Sequence, residues 1–156
     1  MFRGKRMNAS NFEFQTKTSL LVLNYNQKGL FKLDEHSSTL LRMFKRYPFE
    51  FGVILKDDSR KEIDVTNDEI TFSLKQNYED PENLLNYSSS STGIEMTNPE
   101  MGYFKVQIPL LDSQFLKTGG HYFWLDWVKV GYPINVYKGY LQVMNHQQFE
   151  EDDEGL

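Results

Sequence analysis

The sequence predicts an all-β protein, an immunoglobulin-like antiparallel sandwich of about seven strands with an N-terminal arm or hairpin. Three observations carry that expectation. Short runs of alternating apolar and polar residues recur along the chain, each closed by a turn cluster. Their spacings suit hairpins and cross-connections, not the intervening helices of βαβ units. Aromatic residues make up 15% of the 156 positions, with 12 Phe and 9 Tyr, a composition that disordered chains lack.

Taken in order, residues 1–18 are polar, with Arg3, Lys5 and Arg6 near the start, and no apolar run follows as a secretory signal requires. They read as an arm. Residues 20–25 (LLVLNY) form a first strand, and residues 30–33 return across the turn Asn26-Gln27-Lys28-Gly29. The expected division is an arm and possible hairpin over 1–36, the sandwich over 37–146, and an acidic disordered tail over 147–156. In 39–45 (TLLRMFK), Leu40, Leu41, Met43 and Phe44 fit one helical face. The run is short for a helix, and Pro48 biases Tyr47 to extended backbone, so helix and strand both stay open.

Residues 49–56 (FEFGVILK) alternate Phe49, Phe51, Val53 and Leu55 against the other parity, and Ile70, Phe72 and Leu74 give the cleanest strand of the chain. Residues 76–93, with four consecutive serines, form a long loop holding one short strand at 84–87. Asn98 to Gly102 make a turn, Phe104, Val106 and Ile108 alternate, and Pro109 ends that strand. Residues 110–117 supply one turn of helix that crosses between the sheets and leads to Gly119-Gly120.

The chain's dominant stretch is a long hairpin, residues 122–130 and 134–143, bent at Gly131-Tyr132-Pro133. Its first strand is apolar on both faces: Tyr122, Trp124, Val128 and Val130 on one, Phe123, Leu125 and Trp127 on the other. A strand with one wet face alternates, so this one needs two covers. Gly120-His121-Tyr122 suggests a tyrosine corner, with Tyr122 and Trp124 turned to the sandwich interior. Phe123, Leu125 and Trp127 then form the binding surface, covered by a neighbouring subunit or by residues 20–33.

The run FEFGVILKDDSRKEIDVTNDEITFSLK (49–75) resembles the N-terminal Ig-like domain of phage baseplate upper proteins and related phage tail structural modules. The motifs are Ile63-Asp64-Val65-Thr66, then Thr71-Phe72-Ser73-Leu74-Lys75, then Asn98-Pro99-Glu100-Met101-Gly102-Tyr103-Phe104, then Gly120-His121-Tyr122. The resemblance covers roughly residues 45–143. It implies a non-enzymatic module of a virion, assembled in the host cytoplasm, that joins other phage structural proteins as a homo-oligomer. Its matched residues have scaffold roles on physical grounds as well. Asp64 can accept backbone N–H groups in its turn, and Gly102 supplies a positive φ.

Other classes are excluded or weakened. With no cysteine there is neither a disulfide framework nor a thiolate metal site. The net charge is −5, and Glu150, Glu151, Asp152, Asp153 and Glu154 account for all of it, which leaves the body formally neutral and without a footprint for nucleic acid. No apolar run approaches the roughly 18 residues of a membrane span. His36, His121 and His146 lack metal-ligand spacing, and no nucleophile elbow, phosphate loop or dinucleotide fingerprint is present, so neither an enzyme nor a cofactor is expected. The alternative function is a carbohydrate-binding module, with Trp127, Tyr132, Tyr137 and Tyr140 as a platform for a host surface glycan. Coplanar, open rings would mark it.

Overall fold

The computed structural model of the chain describes residues 19–26, 29–30, 40–129 and 131–145. The strands are β1 (Ser19–Asn24), β2 (Gly29–Leu30), β3 (Leu40–Phe44), β4 (Phe49–Lys56), β5 (Glu69–Lys75), β6 (Leu85–Ser88), β7 (Ile94–Asn98), β8 (Tyr103–Ile108), β9 (Gly119–Lys129) and β10 (Tyr132–Met144). One helical turn, α1 (Leu110–Ser113), links β8 to β9. The strands form two five-stranded sheets, ordered β2-β1-β4-β8-β7 and β3-β10-β9-β5-β6. The architecture is the all-β sandwich that the alternating pattern predicts.

Both sheets are mixed. β1 runs parallel to β4, and β3 parallel to β10, while every other pair of strands is antiparallel. Residues 39–45, open between helix and strand in the sequence, supply β3. The pairing of β1 also moves the expected boundary of the sandwich. Leu21 and Leu23 lie level with Val53 and Leu55 in register and are buried with them. The β1–β2 hairpin is therefore part of the sandwich, not of an arm that precedes residue 37. Residues 1–18, 31–39 and the acidic stretch 147–156 lie outside the described residues.

The core sits where inward parities of the two sheets meet. In β5, Ile70, Phe72 and Leu74 are buried while Glu69, Thr71, Ser73 and Lys75 are not; β8 repeats this with Phe104, Val106 and Ile108. Phe51 of the first sheet packs between Phe72 and Phe123 of the second, with ring centroids 6.1 and 5.6 Å away. Phe72 and Phe123 stand 5.6 Å apart, and Tyr87 stacks on Phe72 at 5.7 Å. Each fully buried Phe contributes on the order of 1.5–3 kcal/mol by removal from water.

The β9–β10 hairpin turns more tightly than expected. Lys129 pairs with Tyr132, so the reversal falls at residues 130–131, with Gly131 at φ +83°. A two-residue loop of this kind needs positive φ. Pro133 therefore lies inside β10, opposite Val128. It is tolerated because, among the described residues, β3 meets only residues 140–144 and no strand pairs with the other edge of β10 at Pro133. A bulge between Asn135 and Tyr137 turns both Val136 and Tyr137 inward. The Asn135 amide fastens it, donating to Leu125 O at 3.2 Å, Asp126 Oδ1 at 2.9 Å and Tyr137 O at 3.3 Å.

Candidate functional site

The register of β9 settles which of its faces is the core. Phe123 lies between Leu74 and Gly139, Leu125 between Phe72 and Tyr137, and Trp127 between Ile70 and Ile134. Cross-strand partners share a face, so these three side chains point inward with β5's apolar parity. Phe123 and Leu125 are 0% exposed and Trp127 is 4% exposed. The expected division of the strand is thus reversed: Phe123, Leu125 and Trp127 form core, and Tyr122 and Trp124 face outward. Trp127 can be buried because its indole N–H donates to Asp68 Oδ2 at 2.9 Å and its ring meets Tyr25 edge-on at 5.1 Å. Part of the inner cover does come from the 20–33 region, through that tyrosine just after β1.

On the outer face, Tyr122 pairs across the sheet with Lys75 and Tyr140, and Trp124 with Ser73 and Lys138. Four rings gather there. Tyr78 lies 4.4 Å from Tyr122 and 5.5 Å from Trp124, and Tyr122 lies 5.4 Å from Tyr140. Tyr78 reaches this position from the β5–β6 connection, which is pinned by its own hydrogen bonds. The Asn77 N–H donates to Asp80 Oδ2 at 3.1 Å, and Lys75 Nζ donates to Asp80 O at 2.8 Å. The same ammonium sits 5.7 Å from the Trp124 ring centroid, in cation–π range. Tyr122 occupies this outer face among aromatic neighbours, not the interior corner expected of it. Gly120 lies on this face too. A Cβ there would fall 1.8 Å from Tyr140 Oη, so the phenol crosses the strand where only glycine leaves room.

Tyr78 and Tyr140 remain 55% and 38% exposed, and the patch presents ring edges, hydroxyls and one ammonium to solvent. Its interplanar angles are 37°, 85° and 65°. The rings lean on one another and do not lie in one plane, whereas sugar stacking needs flat, open faces. The platform expected for glycan binding is not assembled either, since Trp127 and Tyr137 belong to the core. The composition suits protein recognition, where tyrosine and tryptophan supply large contact area at low entropic cost.

The scaffold residues named from sequence lie elsewhere. Asp64 Oδ1 accepts the Thr66 N–H at 2.9 Å and the Thr66 hydroxyl, and those bonds hold its carboxyl below the usual range. Gly102, at φ +70°, donates to Pro99 O at 3.0 Å, and the same oxygen accepts the Val65 N–H at 2.9 Å. The two motif segments thus meet at one carbonyl. A Cβ on Gly102 would lie 2.7 Å from Ile63 O and 2.8 Å from Leu55 O.

The serine run folds onto β5. Ile70 N–H donates to Ser89 Oγ at 2.9 Å, and Glu69 accepts the hydroxyls of Ser88 and Ser90.

His121 faces inward and is fully buried, while His36 and His146 lie outside the described residues. No group of three or more potential metal ligands occurs among the described residues, and no helix among them is long and apolar enough to cross a membrane. The sequence offered a parity signal for Tyr122, Trp124 and Tyr140, but none for Tyr78, which sits in a loop.

No family model matches the chain, and no curated protein matches it in sequence. Among solved structures, the fold is similar to the N-terminal domain of phage TP901-1 ORF48. The TM-score is 0.52 at 9% identity, with 82% of this chain and 98% of that domain covered. At that identity the likeness is one of fold.

Proposed function

We propose that the chain is a non-enzymatic structural module of a bacteriophage tail or baseplate, which joins neighbouring proteins of the particle through the outer face of β9 and β10. The observation that carries this reading is the fold likeness, which spans 98% of a domain from a phage protein. The motif resemblance over residues 45–143 points the same way independently. The aromatic patch of Tyr78, Tyr122, Trp124 and Tyr140 is the surface best suited to the contact. Partners are other phage structural proteins, further copies of this chain among them.

The test is mass spectrometry of purified particles from the phage or prophage whose genome encodes the chain. Its peptides are expected in the particle at stoichiometric level. The double variant Tyr122→Asp/Trp124→Asp is expected to stay folded yet be missing from particles. A chain abundant in the lysate but absent from particles overturns the proposal, and so does unimpaired incorporation of the double variant for the choice of face.

A further inference from the structure

Two of the connections that cross between the sheets, β3 to β4 and β8 to β9, meet at one end of the sandwich, apart from the aromatic patch. The corner after β3 and helix α1 are tied through Ser113. Its hydroxyl accepts the Arg46 N–H at 3.0 Å and donates to Phe44 O at 3.4 Å. Strand β10 leaves the sandwich at the same place, because the Lys45 N–H donates to Met144 O at 2.8 Å. Around this junction several apolar side chains stand in water. Leu111 and Phe115 are 69% and 79% exposed, and Leu110 and Tyr47 are exposed as well. Single exposed apolar residues are ordinary on a protein surface, but four on two adjoining connections form a patch that asks for a cover.

The surroundings are basic. Lys45 and Arg46 lie on the first connection, Lys117 follows α1, and Arg42 stands within β3. Two acids, one on α1 and one in β4, are already engaged. Asp112 accepts the Tyr87 hydroxyl at 2.5 Å, and Glu50 accepts the Gln107 amide at 3.2 Å. The chain that continues past Asn145 reads HQQFEEDDEGL, one phenylalanine followed by five acids. Eleven residues reach at most about 36 Å when extended, ample for a patch that adjoins their point of departure.

We propose that residues 147–156 dock in cis on this end of the sandwich. Phe149 meets the apolar patch of Leu111 and Phe115, and the acidic run meets Lys45, Arg46 and Lys117. The tether favours the chain's own segment over that of a second copy, because it raises the local concentration to roughly the millimolar range. This contact is separate from the aromatic face and does not depend on what that face binds.

The chain has no cysteine, so Gly155→Cys gives one attachment point for a nitroxide on the full-length protein. Amide resonances of residues 45–47 and 110–117 are expected to broaden selectively. The broadening should fade at high salt, in Phe149→Ser, and in Lys45→Glu/Lys117→Glu, with core resonances unmoved. Broadening spread evenly around Asn145 and indifferent to salt and to these substitutions overturns the proposal. Mixing labelled, unenriched chain with unlabelled, isotope-enriched chain separates the remaining case. Broadening in that mixture assigns the contact to a second copy and overturns docking in cis.

Discussion

The two faces of β9 have nearly the same composition and opposite fates. Inward, Phe123, Leu125 and Trp127 meet Phe51, Phe72 and Tyr25 and are sealed from water. Outward, Tyr122 and Trp124 meet Tyr78, Tyr140 and the Lys75 ammonium and stay partly wet. Hydrophobicity along one strand does not decide this. The neighbours do: Ser73 and Lys138 flank Trp124, whereas Phe72 and Tyr137 flank Leu125. A second sheet covers one side, and among the described residues a loop tyrosine and the Lys75 ammonium lie over the other. Apolar content marks a strand as doubly covered, and the flanking strands say which cover belongs to the protein itself.

Substitutions on the two faces test that contrast. We predict that Phe123→Ala costs about 3–5 kcal/mol of unfolding free energy in a urea titration, the range for emptying a packed aromatic site. Trp124→Ala should cost about 1 kcal/mol or less, because its site opens to water. Equal losses would erase the distinction between the faces.

The glycines sharpen it. A Cβ on Gly139 would lie 2.2 Å from the Phe123 ring, which is locked in the core. Gly139→Ala should therefore cost about 1–3 kcal/mol by overpacking. Gly120→Ala collides with Tyr140 instead, and that half-exposed ring can swing aside, so the loss should stay below about 1 kcal/mol. A larger loss at Gly120 than at Gly139 would contradict the assignment.

A smaller effect belongs to His121, on the inner face. Its Nδ1 lies 3.2 Å from Gly119 O, Nε2 has no hydrogen-bond partner among the described residues, and burial lowers its pKa. The folded state thus prefers the neutral ring, while the unfolded chain takes up a proton near the ordinary value of about 6.5. The sign follows from linkage. Stability is fully present above that value and is lost as pH falls through it toward the depressed folded pKa. Urea midpoints at pH 7.5 and 5.5 should show the loss, and His121→Leu should lessen it. An unchanged pH slope in His121→Leu would falsify the burial of a neutral ring.

Much of the fold was legible because β4, β5 and β8 each have one wet face and alternate accordingly. The short strand in the serine-rich loop and the crossing turn at Leu110 were legible as well. The membership of β1 in the sandwich was not, because it rests on a parallel pairing with β4 across a long connection. Nor was the sign of β9's parity. Where both faces are apolar, periodicity gives no direction, and only the register to Phe72 and Leu74 supplies it. The inward turn of Tyr137 was hidden for a further reason, since the bulge at Val136 shifts the alternation by one residue. Of the candidate surface, Tyr140 could be read as exposed from its parity, but Tyr78 depends on the loop that Lys75 and Asp80 hold in place.

The face assignment can be read with the chain's own probes, because it has two tryptophans, one on each side of β9. Single-tryptophan variants Trp124→Phe and Trp127→Phe isolate them for acrylamide quenching of fluorescence. Trp124, measured in Trp127→Phe, is expected to be quenched readily, and Trp127, measured in Trp124→Phe, to be protected until the protein unfolds. The opposite order, with Trp127 open and Trp124 shielded in the folded protein, would contradict the face assignment.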